Sequence, residues 1–155
     1  MRFIADRNLG RLVKWLRIMG HDTVLYRGPT DRLFLRKAER EERTVLTRVR
    51  DMARRQFGGS LVVVEQDRLE DQLAALMEKL PIRLEPERLF TRCLRCNEPL
   101  EEATRGEVAG LVPPYVLETQ SRFRLCPNCG GIFWPGTHKK NIHRFLGINS
   151  SADPL

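Results

Sequence analysis

Four cysteines stand in two Cys-x-x-Cys pairs, Cys93-Leu94-Arg95-Cys96 and Cys126-Pro127-Asn128-Cys129, and the chain has no others. Two thiolates at this spacing grip one side of a tetrahedral metal ion, and a second pair completes the shell. Two disulfides or four unrelated buried thiols are the competing readings; the spacing favours structural zinc. A zinc held by Cys93, Cys96, Cys126 and Cys129 would have no open coordination position, so it would fold a small ribbon and leave catalysis elsewhere. Gly130-Gly131, directly after the second pair, lets the backbone turn tightly there.

Carboxylates offer a second chemistry. Asp6, Asp31, Asp51 and Asp67 each follow a strand-like run. Carboxylates gathered at one place raise each other's pKa, and a Mg²⁺ or Mn²⁺ ion removes that penalty by taking oxygen ligands. Such an ion can activate water against a phosphodiester. Each aspartate also has a plainer role: Asp6 and Asp31 as helix caps, Asp51 on an exposed helix, Asp67 in a loop. Basic residues sit close by in sequence. Arg7, Arg11 and Lys14 recur at one helical face with Arg17 near the same stripe, and Arg48, Arg50, Arg54 and Arg55 form a second group. Lys139, Lys140 and Arg144 form a third. Such faces are often only solvated; beside carboxylates they suit a phosphate backbone.

The elements that must position these groups follow from apolar periodicity. Arg2 to Ala5 reads as a strand, and Leu9, Leu12, Val13, Leu16 and Met19 recur at helical spacing until Gly20. Asp22 to Tyr26 is a second strand. Asp31 caps a charged helix running to about Arg43, with Phe34, Leu35 and Ala38 inward. Thr44 to Thr47 is a third strand, Arg50 to Gln56 a short helix. Leu61 to Val64 is a fourth strand, apolar throughout and so expected to be buried on both faces. Leu69, Leu73, Leu76, Met77 and Leu80 mark a last amphipathic helix, closed by Pro81. Strands alternating with helices predict a parallel sheet with helices on both faces. In such a sheet ligands bind beyond the C-terminal strand ends, where the aspartates fall. This α/β domain is expected over residues 1–88. From about Thr91 the periodicity fades and Cys, Pro and Gly dominate, so a zinc ribbon is expected over 91–146, with strands at Val108–Val116 and Arg122–Leu125. Residues 147–155 read as a tail.

The formal charge of +7 favours a polyanionic partner. No stretch approaches the roughly 18 apolar residues of a membrane span, and Met1 to Asp6 lacks a signal peptide's apolar run. A cytoplasmic location, where thiols stay reduced, is therefore expected.

The opening Phe3-Ile4-Ala5-Asp6-Arg7-Asn8-Leu9-Gly10-Arg11-Leu12 resembles the Mut-seven C-terminal ribonuclease domain family. So do Trp15-Leu16-Arg17, Gly20-His21-Asp22, Val45-Leu46-Thr47-Arg48, the Cys93 to Asn97 and Cys126 to Gly130 segments, and Phe133 to His138. The resemblance implies a PIN-like nuclease fold followed by a zinc ribbon, and a metal-dependent ribonuclease with an acidic site. It places Asp6 and Asp31 at the family's first two acidic positions, with Thr47 orienting water or a ligand. The family pattern then reads Leu-Thr-Arg-Asp where this chain has Leu46-Thr47-Arg48-Val49. Valine binds no cation; Asp51, or Glu39 or Glu42, would have to compensate.

Two functions of different class follow. One is hydrolysis of RNA, with Mg²⁺ or Mn²⁺ at Asp6, Asp31 and Asp51, and with Arg7, Arg11, Lys14, Arg48, Lys139 and Lys140 on the RNA. The other is an RNA-binding or ribonucleoprotein module disarmed at Val49. A homodimer and an antitoxin-like protein partner are further readings of the resemblance. His138 is read as contacting RNA or bonding within the ribbon, His21 and His143 as surface residues. Phe133 and Trp134 are read as packing the ribbon core, with stacking on bases as the other role.

Overall fold

The computed structural model describes residues 1–134. The chain divides into two compact units, Met1–Asn97 and Glu98–Leu155.

The first unit is a four-stranded, wholly parallel sheet flanked by helices. Its strands are β1 (Arg2–Asp6), β2 (Asp22–Tyr26), β3 (Thr44–Thr47) and β4 (Leu61–Val63), in the order β2-β1-β3-β4. The helices are α1 (Gly10–Ile18), α2 (Arg32–Arg40) and α3 (Leu69–Lys79). Strand β1 lies between two neighbours, which is why Phe3, Ile4 and Ala5 are fully buried. Side chains alternate across a strand. Ile4 therefore shares a face with Val24 and Val45, and that face packs on Phe34, Leu35 and Ala38 of α2 and on Met52. Stacking of Tyr26 on Phe34 adds to this layer, with ring centroids 5.0 Å apart. Strand β4 is at the sheet edge and only half-buried, so the apolar Leu61–Val63 run is not covered on both faces as expected. Apolar composition reports a strand; its position in the sheet decides its burial.

Two helices end in the same way. After α1, Gly20 has φ +82°, Gly20 N–H donates to Arg17 O (3.0 Å) and His21 N–H to Leu16 O (2.9 Å). This is a Schellman motif, and a Cβ on Gly20 would meet Arg88 O at 2.4 Å. Helix α2 closes with the same pair of bonds, Glu42 to Glu39 O and Arg43 to Ala38 O, with Glu42 in the left-handed region at φ 51°. The helix therefore stops at Arg40, and Arg43 is turned into the sheet.

Arg43 is 8% exposed and donates to Asp22 Oδ1 (2.7 Å), Asp22 Oδ2 (3.3 Å), Phe3 O (3.2 Å) and Glu41 Oε2 (2.8 Å). Asn97 completes the group: its Nδ2 donates to Asp22 Oδ1 (2.6 Å) and its Oδ1 accepts from Thr23 N–H (2.9 Å). Arg17, expected on the exposed basic stripe, is instead buried. Its guanidinium donates to Thr23 O (3.0 Å), Leu94 O (2.8 Å) and Arg95 O (3.1 Å). Burial lowers its pKa, against the pull of the Cys93 and Cys96 thiols. His21 is likewise buried, not at the surface. It packs edge-on against Phe3, and burial with the nearby charges of the N-terminus, Arg88 and Arg92 lowers its pKa to about 4.

In the second unit, β5 (Glu101–Ala103), β6 (Phe123–Leu125) and β7 (Ile132–Phe133) form an antiparallel sheet in that order. The expected strand over Val108–Val116 is absent. Its residues belong to α4 (Arg105–Val108), the following turn and α5 (Pro114–Thr119). Thr104 and Glu107 form a capping box that starts α4, and Pro114 sits in the first turn of α5. The β-branched residues Val108, Val112 and Val116 instead recur at helical spacing and bury against Phe123. Phe133 is half-buried, while Trp134 is 37% exposed and so is not the core residue it was expected to be.

Burial alone would raise the Asp22 carboxyl; the bonds from Arg43 and Asn97 and the Arg43 charge outweigh it and hold it at about 2, below its ordinary 3.8. A depressed carboxyl stabilises the fold fully above its unfolded pKa and loses that contribution as pH falls through the folded one. Asp22→Asn is therefore expected to flatten the fall in stability between about pH 4 and pH 2, measured by urea unfolding. Arg43→Ala removes the closer of the two cations on Asp22, leaving the more exposed Arg2 at 3.4 Å, and also frees the Phe3 carbonyl; it is expected to cost about 2 kcal/mol at neutral pH in the same assay.

Candidate functional site

The parallel strands deliver their last residues to one edge of the sheet, with Asp6 opposite Tyr26 on β2 and Thr47 opposite Val63. Asp6, only 1% exposed, is the most heavily bonded carboxylate there. Its Oδ1 accepts from Asn8 N–H (2.8 Å), capping the 3-10 turn Arg7–Leu9. Its Oδ2 accepts from the Thr47 hydroxyl (2.8 Å) and from Arg48 N–H (2.7 Å). The Thr47 hydroxyl in turn accepts from Val49 N–H (3.1 Å). A carboxylate has about four lone-pair sites, so among the described residues these three bonds leave one of them, on Oδ1, without a partner. Asp6 and Thr47 are thus brought together by adjacent strands.

The other candidate aspartates each have contacts of their own. Asp31 caps α2, its Oδ1 accepting from Leu33 N–H (2.8 Å) and Phe34 N–H (3.3 Å). Asp51, with its side chain 82% exposed, lies 3.9 Å from Arg54 in the 3-10 turn Arg50–Arg54. Asp67 is 90% exposed and pairs with Arg48 at 2.7 Å. Glu39 accepts from Gly58 N–H (3.0 Å), and Glu42 is exposed in its left-handed turn. Val49 packs against the α2-side core. Among the described residues, the four cysteines form the one group of three or more His, Cys, Asp or Glu side chains close enough together to hold a metal ion.

Arg7, Arg11 and Lys14 are exposed, and among the described residues none makes an ion pair. Arg48 is committed to Asp67 and to the Gln66 carbonyl. Lys139, Lys140, Arg144, His138 and His143 lie outside the described residues.

The two cysteine pairs have the same local geometry. Asn97 N–H donates to Cys93 O (3.0 Å), and Gly130 N–H donates to Cys126 O (2.9 Å). In each, the residue after the second cysteine is left-handed, Asn97 at φ 71° and Gly130 at φ 66°. Asparagine and glycine are the residues that adopt this region most readily. All four sulfurs lie within 4.8 Å of one another. Tetrahedral zinc with Zn–S near 2.3 Å separates its sulfurs by about 3.8 Å, so the thiols are placed to hold a metal ion such as zinc. Arg17 and Asn97 bond to the Cys93–Asn97 segment on one side and to β2 on the other. Beyond the asparagine that follows Cys96, no motif in the chain announces this attachment.

The family model of the Mut7-C RNAse domain matches residues 1–146. The chain belongs to the Mut7-C RNAse domain family. Neither a curated protein nor a solved structure matches it. Membership suggests a ribonuclease-like or RNA-related function for this Mut7-C domain. Among the described residues no helix is long and apolar enough to cross a membrane.

Purified Mut7-C protein is expected to carry about one zinc per chain by elemental analysis. Cys93→Ser should lower that content severalfold. Full zinc retention in this variant would exclude a four-thiolate site.

Proposed function

We propose that this Mut7-C chain is a metal-dependent ribonuclease that hydrolyses RNA phosphodiester bonds at the C-terminal edge of the parallel sheet. The observation that carries the reading is Asp6: a buried carboxylate at the end of the inner strand β1, oriented by Thr47 and Arg48 N–H, with one lone pair unused among the described residues. The donor set suits Mg²⁺ or Mn²⁺ only in their usual enzymatic form, with one or two carboxylates supplemented by substrate phosphates and water. When bound, such an ion would supply an activated water and neutralise charge on the phosphoryl oxygens. Asp6 and Asp31 are the proposed ligands, and Asp51 an imperfect third. Thr47 fixes the Asp6 carboxylate, and Arg7, Arg11 and Lys14 supply exposed positive charge for the RNA backbone. Zinc at the four cysteines is proposed as purely structural, and a cytoplasmic setting agrees with reduced thiols.

A second reading is an RNA-binding module without catalysis. It is favoured by Val49, which places an apolar, core-packed side chain where the family pattern has aspartate.

The two readings separate in one assay. A labelled single-stranded RNA is incubated with zinc-loaded protein in Mn²⁺, in EDTA, and with the Asp6→Asn variant, whose fold is checked by circular dichroism. Cleavage that needs both Mn²⁺ and Asp6 is expected. Binding without cleavage across several RNAs would replace the nuclease with the binding module.

A further inference from the structure

Beside α2 the first unit has a cleft of about 440 Å³, lined by Arg32, Leu35, Arg36, Glu39, Arg55 and Gln56. Arg32, Leu35, Arg36 and Glu39 follow the i, i+3, i+4, i+7 spacing of one helical face. Arg55 and Gln56 come from the segment after the 3-10 turn Arg50–Arg54. Three guanidinium groups thus share the cleft with one carboxylate. Among the described residues none of the three has an ion-pair partner. Glu39 is already engaged, its Oε1 accepting from Gly58 N–H at 3.0 Å.

Unpaired like charges held in one cleft repel, and an anion relieves that repulsion. The planar guanidinium fork matches phosphate oxygens two at a time. Arg32 and Arg36 stand about 6 Å apart along the α2 axis, close enough to serve neighbouring phosphates of one strand. The walls also have a common origin. Helix α2 follows β2, and the Arg50–Arg54 turn follows β3, the two strands that flank β1. Both walls therefore start at the edge where Asp6 sits, and Arg32 adjoins Asp31. Leu35, at 4% exposure, closes the floor without offering a base-specific contact.

We infer that this cleft holds backbone phosphates of the RNA strand to one side of the Asp6 edge, with Arg32, Arg36 and Arg55 as the contacts. The inference rests on the RNA-directed reading above and says nothing of base sequence.

The test measures binding, which keeps it apart from cleavage. Anisotropy of a fluorescein-labelled oligouridine is followed in EDTA over a salt series, for the intact protein, for Arg36→Ala/Arg55→Ala, and for Arg68→Ala/Arg83→Ala. The last pair removes the same charge from exposed positions elsewhere. The cleft variant is expected to bind about tenfold or more weakly at low salt, with the salt slope shallower by about 0.7 for each phosphate no longer neutralised. The control pair should change affinity much less. Equal loss of affinity in both pairs would reduce the effect to net charge and overturn the cleft, as would unchanged binding in the cleft variant. Inorganic pyrophosphate and uridine monophosphate serve as competitors. Displacement of the RNA by the mononucleotide at concentrations comparable to the oligomer, per phosphate, would make the cleft a mononucleotide pocket and overturn the backbone assignment. A protein that binds through the cleft but never cleaves removes the nuclease reading and keeps this one; cleavage with undiminished affinity in the cleft variant does the reverse.

Discussion

The Asp22 carboxylate is the point on which the first unit converges. It is shared by Arg43, which arrives from the turn after α2, and by Asn97, which arrives from the end of the first cysteine pair. Arg43 also reaches the Phe3 carbonyl on β1. One partly buried anion thus fixes the starts of β1 and β2, the exit from α2 and the Cys93–Asn97 segment. Taking charges out of water is costly, and only good geometry with the remaining bonds satisfied offsets it. Here both Asp22 oxygens and three Arg43 nitrogens are bonded, which meets that condition. Such a network specifies where the Cys93–Asn97 segment lies more than it adds net stability.

Asp6 plays a comparable part at the opposite ends of the same strands. Its three bonds join β1, the Arg7–Leu9 turn and the residues at the end of β3. A five-residue strand spans about 13 Å between its end residues, so the Asp22 group and the Asp6 group are held apart by the rigid sheet. Folding determinants sit at one end and the candidate chemistry at the other. A change at the Cys93–Asn97 segment would therefore reach Asp6 through β1 and β2 and not by direct contact.

The parallel sheet is legible in the sequence because each strand and helix has its own apolar period, and Gly20 and Asp31 mark boundaries by backbone and capping chemistry. The four thiols are legible from spacing alone. What escapes is set by tertiary position. Arg17 falls at stripe spacing with Arg7 and Lys14, and nothing local shows that Thr23, Leu94 and Arg95 carbonyls wait for it. His21 reads as a polar turn residue, yet the Schellman turn carries it under Phe3. The Val108–Val116 error has a local remedy: Thr104 and Glu107 stand at capping-box spacing, and Pro113-Pro114 signals a second helix start. Those punctuation residues outrank valine content as a guide to this segment. At the acidic edge, only the Asp6–Thr47 pairing follows from strand neighbours. Asp51 falls in a 3-10 turn at i, i+3 from Arg54, in keeping with the plainer reading of it as an exposed helical residue.

The charge at that edge separates two capacities. The aspartates there differ in how far they are engaged: Asp67 pairs with Arg48, Asp51 lies 3.9 Å from Arg54, and Asp31 caps the first turn of α2 through Oδ1. The basic residues Arg7, Arg11, Lys14, Arg32, Arg36 and Arg55 have no ion-pair partners among the described residues. Valine at position 49 adds no negative charge to that balance. Attraction of a polyanion would therefore be spread over several side chains and survive removal of any one. The proposed hydrolysis would rest chiefly on the buried carboxylate of Asp6, with Asp31 as the second ligand. On the proposed function, binding and cleavage of RNA would thus rest on different side chains, which is why affinity and turnover must be measured as separate quantities.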